Sequence, residues 1–543
     1  MAMSGTPVLI LKEGTERQRG REAYQRNIAV AKAVAEAVRT TLGPRGMDKM
    51  LVNSLGDVII TNDGATILKE MDVQHPAAKM MVEISKTMDQ ECGDGTTTAV
   101  VLAGELLKKA EDLIDQDIHP TVVANGYRMA QREALRVMDA IATRVSPDDE
   151  QMLRRIATTA MMSKAVSTAR DHFAKLAVDA VLSIAEEKDG KKVVDLDSVQ
   201  FVKKAGASLL DTSVVKGVII EKEPVHPGMP KKVEKAKIAL VKAGFEIKKT
   251  EVESKIQIRD PKQMKAFLEE EEAQFRRMVE RVKKSGATVL FCEKAIEDMA
   301  QHFLAKEGIL AVRRVKESDM EKLSLATGAR IVGKAEELEA ADLGYAEMVE
   351  ARKIEEDWMI FVSGCKNPRA VSIFIRGGTK HVLEEAERSL DDALNVVRLV
   401  VEDGRIVPGG GATAVELALA LREYAVSVGG REQMAVNAFA DALECIPTAL
   451  AENAGLDPID ILIEMRKAHK DGKKDAGVDV FSGKIVSMME KNVIEPIRVG
   501  QQAISSATDA AIMIMRIDDI IAAKGTSKEE DKDKDKDKKG SAS

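Results

Sequence analysis

The sequence predicts a multidomain protein with mostly helical ends and an α/β middle. Three observations carry this. Its 543 residues fit three or four domains rather than one. Aromatic residues make up 3% of the chain against 45% hydrophobic overall, so the cores must be built from Ala, Val, Ile, Leu and Met, mostly on helices. From Gly217 to about Val362, short apolar runs alternate with helical patterns, which reads as a separate α/β domain.

Charge and cysteine usage narrow the classes. The net charge of −8 argues against nucleic acid or an anionic membrane as the main partner. Cys92, Cys292, Cys365 and Cys445 are far apart and form no C-x-x-C pair, so neither a zinc site nor a disulfide framework is indicated, and a reducing compartment fits. The N-terminal residues show no signal-peptide pattern, and no run of apolar residues is long enough to span a membrane. The expectation is a cytoplasmic protein.

Taken in order, Val8 to Leu11 reads as a short strand. A helix follows, with Ile28, Ala31, Val34, Ala35 and Val38 on one face. It stops at Thr41-Leu42-Gly43-Pro44-Arg45-Gly46, a loop that could hold a phosphate or a nucleotide sugar, or could be a plain helix end. Val58-Ile59-Ile60 is a strand running into Asn62-Asp63-Gly64. Turn chemistry explains Asp63 most simply; a carboxylate held beside a phosphate could instead position water.

The most informative stretch is Glu91 to Val100. Gly93 and Gly95 bracket Asp94, Thr96, Thr97 and Thr98 follow, and an apolar helical pattern then begins. Unpaired N–H groups at a helix start favour an anion. Asp94 only accepts hydrogen bonds, so beside a phosphate it needs a cation, and Mg²⁺ suits a place with few carboxylates and shared phosphate oxygens. A Mg-nucleotide cradle and a glycine turn with an Asp/Thr cap both stay open.

Helices are predicted from about Thr97 to Asp115, from about Thr121 to Thr143, and from about 150 to 187. Within the last lies Ser163-Lys164, where Lys164 either reaches a γ-phosphate or is an ordinary solvated lysine. Further strand candidates are Gly217 to Ile220, Ile238 to Val241, Thr288 to Phe291 and Ile309 to Val312. Between them Val252, Ser254, Ile256 and Ile258 alternate as a half-buried strand. Asp260-Pro261 then opens a long helix whose apolar stripe is sparse over its first half. That helix either projects or packs on its own domain.

Gly328 to Ala335 nearly matches the P-loop, but Ala335 lacks the hydroxyl and the preceding residues make a poor strand, so the sequence argues against it. A long helix from about His381 to Glu402 carries Asp391 and Asp392 beside its apolar face. Pro408-Gly409-Gly410-Gly411 is a second glycine turn opening a helix, and Glu495 could bond a ribose or be a turn residue. The Lys/Asp-rich tail is expected to be disordered.

Thr41-Leu42-Gly43-Pro44-Arg45-Gly46, Thr61-Asn62-Asp63-Gly64-Ala65-Thr66, Gly93-Asp94-Gly95-Thr96-Thr97 and Pro408-Gly409-Gly410-Gly411 resemble, in order and spacing, the motifs of the chaperonins. The insertion at about 246–278 is similar to the helical protrusion of the group II, thermosome-type members. The resemblance implies a mostly α-helical equatorial ATPase domain (1–148 and 404–526), a small α/β intermediate domain (149–216 and 369–403) and an α/β apical domain (217–368) carrying a lid, with 527–543 a charged tail. It implies two stacked rings, homo- or hetero-oligomeric, that enclose non-native protein clients and use ATP and Mg²⁺.

Residue by residue, the resemblance implies Asp94 as the Mg²⁺ ligand and Gly95, Thr96, Thr97 and Thr98 as the phosphate cradle. Leu42, Gly43 and Pro44 lie on the other side, and Gly410 and Glu495 contact the nucleotide. Asp63 and Asp392 orient and activate the attacking water; Asp392 is chosen over Asp391 because it immediately precedes Ala-Leu. Lys164 senses the γ-phosphate. The alternatives are a metabolic ATPase or kinase with a small substrate, and a structural ring protein that binds ATP without using it.

Overall fold

The computed structural model describes residues 16–52, 56, 58–71, 73–162, 164, 169–246, 261–366 and 368–522. The strand expected at Val8 to Leu11, the alternating strand from Val252 to Ile258 and the charged tail lie outside the described residues.

The largest core is made by both ends of the chain. Helices Arg21–Arg39, Pro76–Cys92, Thr96–Asp115 and Pro120–Ile141 pack with Ala412–Val428, Glu432–Leu443 and Ile497–Met515. The Thr96–Asp115 helix sits at its centre and is buried nearly all round, through Ala99, Val100, Leu102, Ala103, Leu106 and Ala110. Small residues allow the close approach: a Cβ added at Gly104 would lie 2.3 Å from that of Ala35.

A second core joins Leu153, Phe173 and Ala177 to Val371, Ile373 and Ile375 and to one face of the Lys380–Asp403 helix. The segment expected as one helix from 150 to 187 is two, Glu150–Ala160 and Arg170–Ile184, followed by a strand at Glu186–Lys188. The break begins at Met161, whose backbone leaves the helical region, and the chain then brings Lys164 inward. Tertiary packing overrides a continuous helical pattern here.

The middle of the chain forms a mixed sheet in the order Leu310–Val312, Val289–Cys292, Lys232–Val241, Gly344–Ile354, Asp357–Ser363, Gly217–Ile220, with Ile331–Val332 also on Lys232–Val241. Neighbours of Lys232–Val241 on the Val289 side run parallel; the Gly344–Ile354 hairpin is antiparallel. The expected strands are there, but the sequence reading missed Gly344–Ile354, whose charged and apolar residues mix too evenly to signal a strand, and Asp357–Ser363, although its apolar run from Trp358 to Val362 was a usable signal. The Pro261–Ser285 helix buries Phe275, Met278, Val279 and Val282 in this body, while Glu269 and Glu270 are exposed. Its C-terminal half therefore packs on its own domain; the side chains of Met264, Phe267 and Leu268 are outside what the structure describes.

The near-P-loop is not one. Gly328 caps the C-terminus of the Glu317–Thr327 helix in the left-handed conformation, and Ile331–Val332 joins the sheet. Only a three-residue turn, Ala335–Glu337, directly follows Lys334, too short to receive a phosphate.

Candidate functional site

Gly93 (φ 67°) ends the Pro76–Cys92 helix, and Gly95 (φ 78°) begins the Thr96–Asp115 helix. Both need the left-handed region, where glycine alone is unstrained. No side chain caps the second helix, so its first N–H groups at Thr96, Thr97 and Thr98 are left for a ligand. The same arrangement recurs at Gly411, which opens the Ala412–Val428 helix without a side-chain cap. Gly410 presses so closely on Met488 that a Cβ would lie 2.5 Å from its sulfur.

These two helix starts face one cavity of about 400 Å³, within the usual range for small-ligand sites. Its walls include Leu42, Gly43, Pro44, Asp63, Asp94, Gly95, Thr96, Thr97, Thr98, Lys164, Asp392, Gly410 and Glu495. The structure thus brings together every residue assigned to the site from the sequence, although they come from seven separated stretches. Of the adjacent pair, Asp392 lines the cavity and Asp391 does not.

Asp63 is both a helix cap and a wall of the cavity. Its carboxylate caps the Gly64–Glu70 helix, accepting from the Thr66 amide at 2.8 Å and the Thr66 hydroxyl at 2.7 Å, and it also faces the cavity. Gly64 presses the Asp63 turn onto the threonine turn: a Cβ there would lie 2.5 Å from the Thr97 Oγ1.

Lys164 is buried and its ammonium donates to Asp392 Oδ2. Burial works against this cation, but Asp392, Asp63 and Asp94 together raise it. For Asp63, burial is outweighed by Lys164 and the Thr66 hydrogen bonds, which hold it below the ordinary carboxylate value. Burial raises Asp94, opposed by Lys164 and by the Gly95 amide at 2.6 Å. Burial pushes Asp392 well above the ordinary value; Lys164 opposes this, and Asp63 and Asp94 add to it. Burial, with Asp94 nearby, pushes Glu495 up to about 7. One ammonium among three carboxylates leaves excess negative charge, which a divalent cation would neutralise. Among the described residues no cluster of three or more ligands could cage a metal by itself. Asp94 as a sole carboxylate, with phosphate oxygens completing the shell, fits Mg²⁺.

The opposite end of the cavity was not read from the sequence. Ile446, Leu450, Val480, Phe481 and Met488 give it apolar walls, and the Arg45 guanidinium lies 5.2 Å from the Phe481 ring centre. Asp479 accepts from the Phe481 amide at 3.1 Å and pairs with Lys491 at 3.4 Å. Thr159 also lines the cavity and donates to the Asn492 carbonyl at 3.0 Å. Only exposed Phe481, in a chain poor in aromatics, carried a usable signal.

Two uncapped helix starts, one acid turn and a lysine among carboxylates line one cavity, with a helical body made by both chain ends, a small α/β body and a larger one in the same chain. The TCP-1/cpn60 chaperonin family matches residues 34–525, and the chain belongs to that family. It is 58% identical to the thermosome subunit alpha of Archaeoglobus fulgidus, with 97% of each chain covered. It is 58% identical to a thermosome subunit of Pyrococcus abyssi, covering 97% of this chain and 96% of that one. With thermosome subunit beta of Thermoplasma acidophilum the identity is 56%, over 96% of each. Among solved structures, the open-state monomer of a group II chaperonin from Methanococcoides burtonii matches with a TM-score of 0.59 at 45% identity, covering 78% of this chain and all of that one. The protein is a chaperone of the group II, thermosome type, with the multidomain helical and α/β architecture that the sequence predicts.

Proposed function

We propose that the cavity binds Mg-ATP and hydrolyses it, and that this drives enclosure and folding of non-native proteins. The observation that carries the reading is the single ammonium, Lys164, held among Asp63, Asp94 and Asp392 at the mouth of an uncapped helix. Asp94 would hold Mg²⁺, which when bound neutralises phosphate charge; Thr96, Thr97, Thr98 and the Gly95 turn cradle the phosphates. Leu42, Gly43 and Pro44 flank the nucleotide from the opposite side, with Gly410 and Glu495 as further contacts. Phosphoryl transfer needs positioning and charge neutralisation more than covalent help. Asp63 and Asp392 orient the attacking water. The raised basicity of the Asp392 carboxylate suits it to take the water's proton at Oδ2. Lys164, bonded to that same oxygen, is positioned to exchange it for a terminal phosphate.

The chain ends form the equatorial domain, the second core the intermediate domain, and the large mixed sheet the apical domain. The Lys380–Asp403 helix carries Asp392 and belongs to the second core, so a change at the cavity has a rigid lever toward the apical body. Assembly into stacked rings is supported by the Lys49–Val52/Val58–Thr61 hairpin. It exposes Met50, Val52 and Ile60 and has only two strands, too few to be stable alone. A neighbouring subunit would cover it. Four buried free cysteines suit the reducing cytoplasm; among the described residues no helix is long and apolar enough to cross a membrane.

Gel filtration combined with ATPase and client-refolding assays tests the reading. A large assembly that hydrolyses ATP without a small co-substrate and refolds a denatured client supports it. A monomer or dimer that needs a small substrate, or a ring with no turnover, overturns it.

A further inference from the structure

The Lys380–Asp403 helix touches the Asp94 turn through residues that no role above uses. The Arg398 Nη2 donates to the Glu91 carbonyl at 2.9 Å and to the Asn395 Oδ1 at 3.2 Å. Glu91 lies in the last turn of the Pro76–Cys92 helix, where carbonyls lack helical partners and the dipole favours a cation. Asn395 in turn donates to the Asp391 carbonyl at 3.1 Å. Its side chain lies directly over Gly93: a Cβ at Gly93 would meet Asn395 Cβ at 2.4 Å and Cγ at 2.5 Å. The turn therefore sits flat against the helix, with Asp94 as the next residue. On its other side the Cys92 thiol donates to the Arg498 carbonyl at 3.8 Å.

Asn395 and Arg398 follow Asp392 by three and six residues, within two turns of the same helix. One rigid element thus carries the carboxylate that faces the water and the clamp that holds the turn bearing Asp94. We propose that Arg398, seated by Asn395, is a positioning residue for hydrolysis: it sets the Asp94 turn relative to Asp392, so that both move as a unit when the helix moves. This rests on the nucleotide reading of the cavity. Arg398 does not line the cavity and does not touch nucleotide, so its loss lowers the rate of cleavage rather than affinity.

The test uses the full assembled protein and the variants Arg398→Ala, Arg398→Lys and Asn395→Ala, with Asp392→Ala as control. Arg398→Ala is expected to lower kcat on the order of 10- to 100-fold, the scale of a small misplacement at a reacting centre. Calorimetric Mg-nucleotide affinity should stay within about threefold, the signature of an interaction that matters only in the transition state. In nucleotide-free protein, amide hydrogen exchange should quicken in the Glu91–Gly95 peptide and not in the Ala412–Val428 helix. Arg398→Lys should regain part of kcat, since an ammonium can still cap the Glu91 carbonyl but lacks the rigid planar guanidinium that aims Nη2 at both acceptors. Asn395→Ala should fall between Arg398→Ala and wild type, and it decides the matter if Arg398→Ala fails to assemble. Wild-type kcat in Arg398→Ala or, failing assembly, in Asn395→Ala overturns the proposal, as does a kcat loss matched by equal losses in affinity and melting temperature. Normal turnover in Asp392→Ala would instead sink the nucleotide reading itself. Failure of the clamp alone shows as an inactive Asp392→Ala beside unimpaired clamp variants.

Discussion

Two glycine segments in this chain carry phosphate-like motifs, and they end differently. Gly93-Asp94-Gly95 opens the Thr96–Asp115 helix in the centre of the largest core, with three distant stretches delivering Asp63, Lys164 and Asp392 to the same cavity. Gly328 to Ala335 has the better match to a named motif, yet its first glycine closes a helix, its middle joins a sheet edge and its lysine is exposed. A phosphate site is made by backbone N–H groups at a helix start and by the charges that surround them. Glycine spacing supplies neither unless the chain on both sides does.

The strongest way to break this contrast is to remove a surrounding charge. Asp392→Ala should preserve ATP binding and cut hydrolysis by about 10²- to 10⁴-fold, the usual worth of a positioned acid–base group. Near-normal single-turnover cleavage would show that the company the turn keeps is irrelevant.

The turn itself comes next. Asp94→Ala should weaken Mg-dependent nucleotide affinity by at least about tenfold, since it removes the proposed ligand. Titration calorimetry with and without Mg²⁺ checks this, and unchanged affinity in both would misplace the metal.

Electrostatic enclosure predicts a smaller effect. Glu495 is raised from 4.5 to about 7 by burial and Asp94, so the folded protein holds a proton that the unfolded chain has released. Between those values the native state binds more protons, and stability falls as pH rises. The nucleotide-free protein should lose melting temperature across that window, and Glu495→Gln should flatten part of the slope. An unaltered slope in the variant would mean that Glu495 is not the group involved.

The smallest expected effect is at the decoy. Lys334→Ala should leave nucleotide affinity and turnover within about twofold of wild type, because a solvated lysine outside the site contributes little. A large loss there would reverse the comparison.

Local signals made much of the site legible. Glycines at positive φ, an Asp beside a run of threonines and an Asn-Asp-Gly turn are short-range features, so the sequence displays them. The same holds for the core face of the Arg21–Arg39 helix and for the parallel strands of the middle sheet. The apolar end of the cavity left no such trace. Ile446, Leu450, Val480 and Met488 are ordinary core types until the fold gathers them around one cavity. Gly344–Ile354 was missed because it mixes charged and apolar residues without clear alternation, whereas the apolar run from Trp358 to Val362 was legible and went unread.

By itself the sequence determined the helical ends, the α/β middle and the glycine turns, because backbone permissiveness and amphipathic period are properties of a few neighbouring residues; the choice of Asp63, Lys164, Asp392 and Glu495 came from the family resemblance. Only the tertiary structure decided that Asp63 is both a helix cap and a cavity wall, and that Lys164 leaves its helix to lie among three carboxylates. Those outcomes depend on charges brought together from positions more than two hundred residues apart, as Lys164 and Asp392 are. Coulomb attraction and desolvation in a buried site act through space, and no local pattern records them.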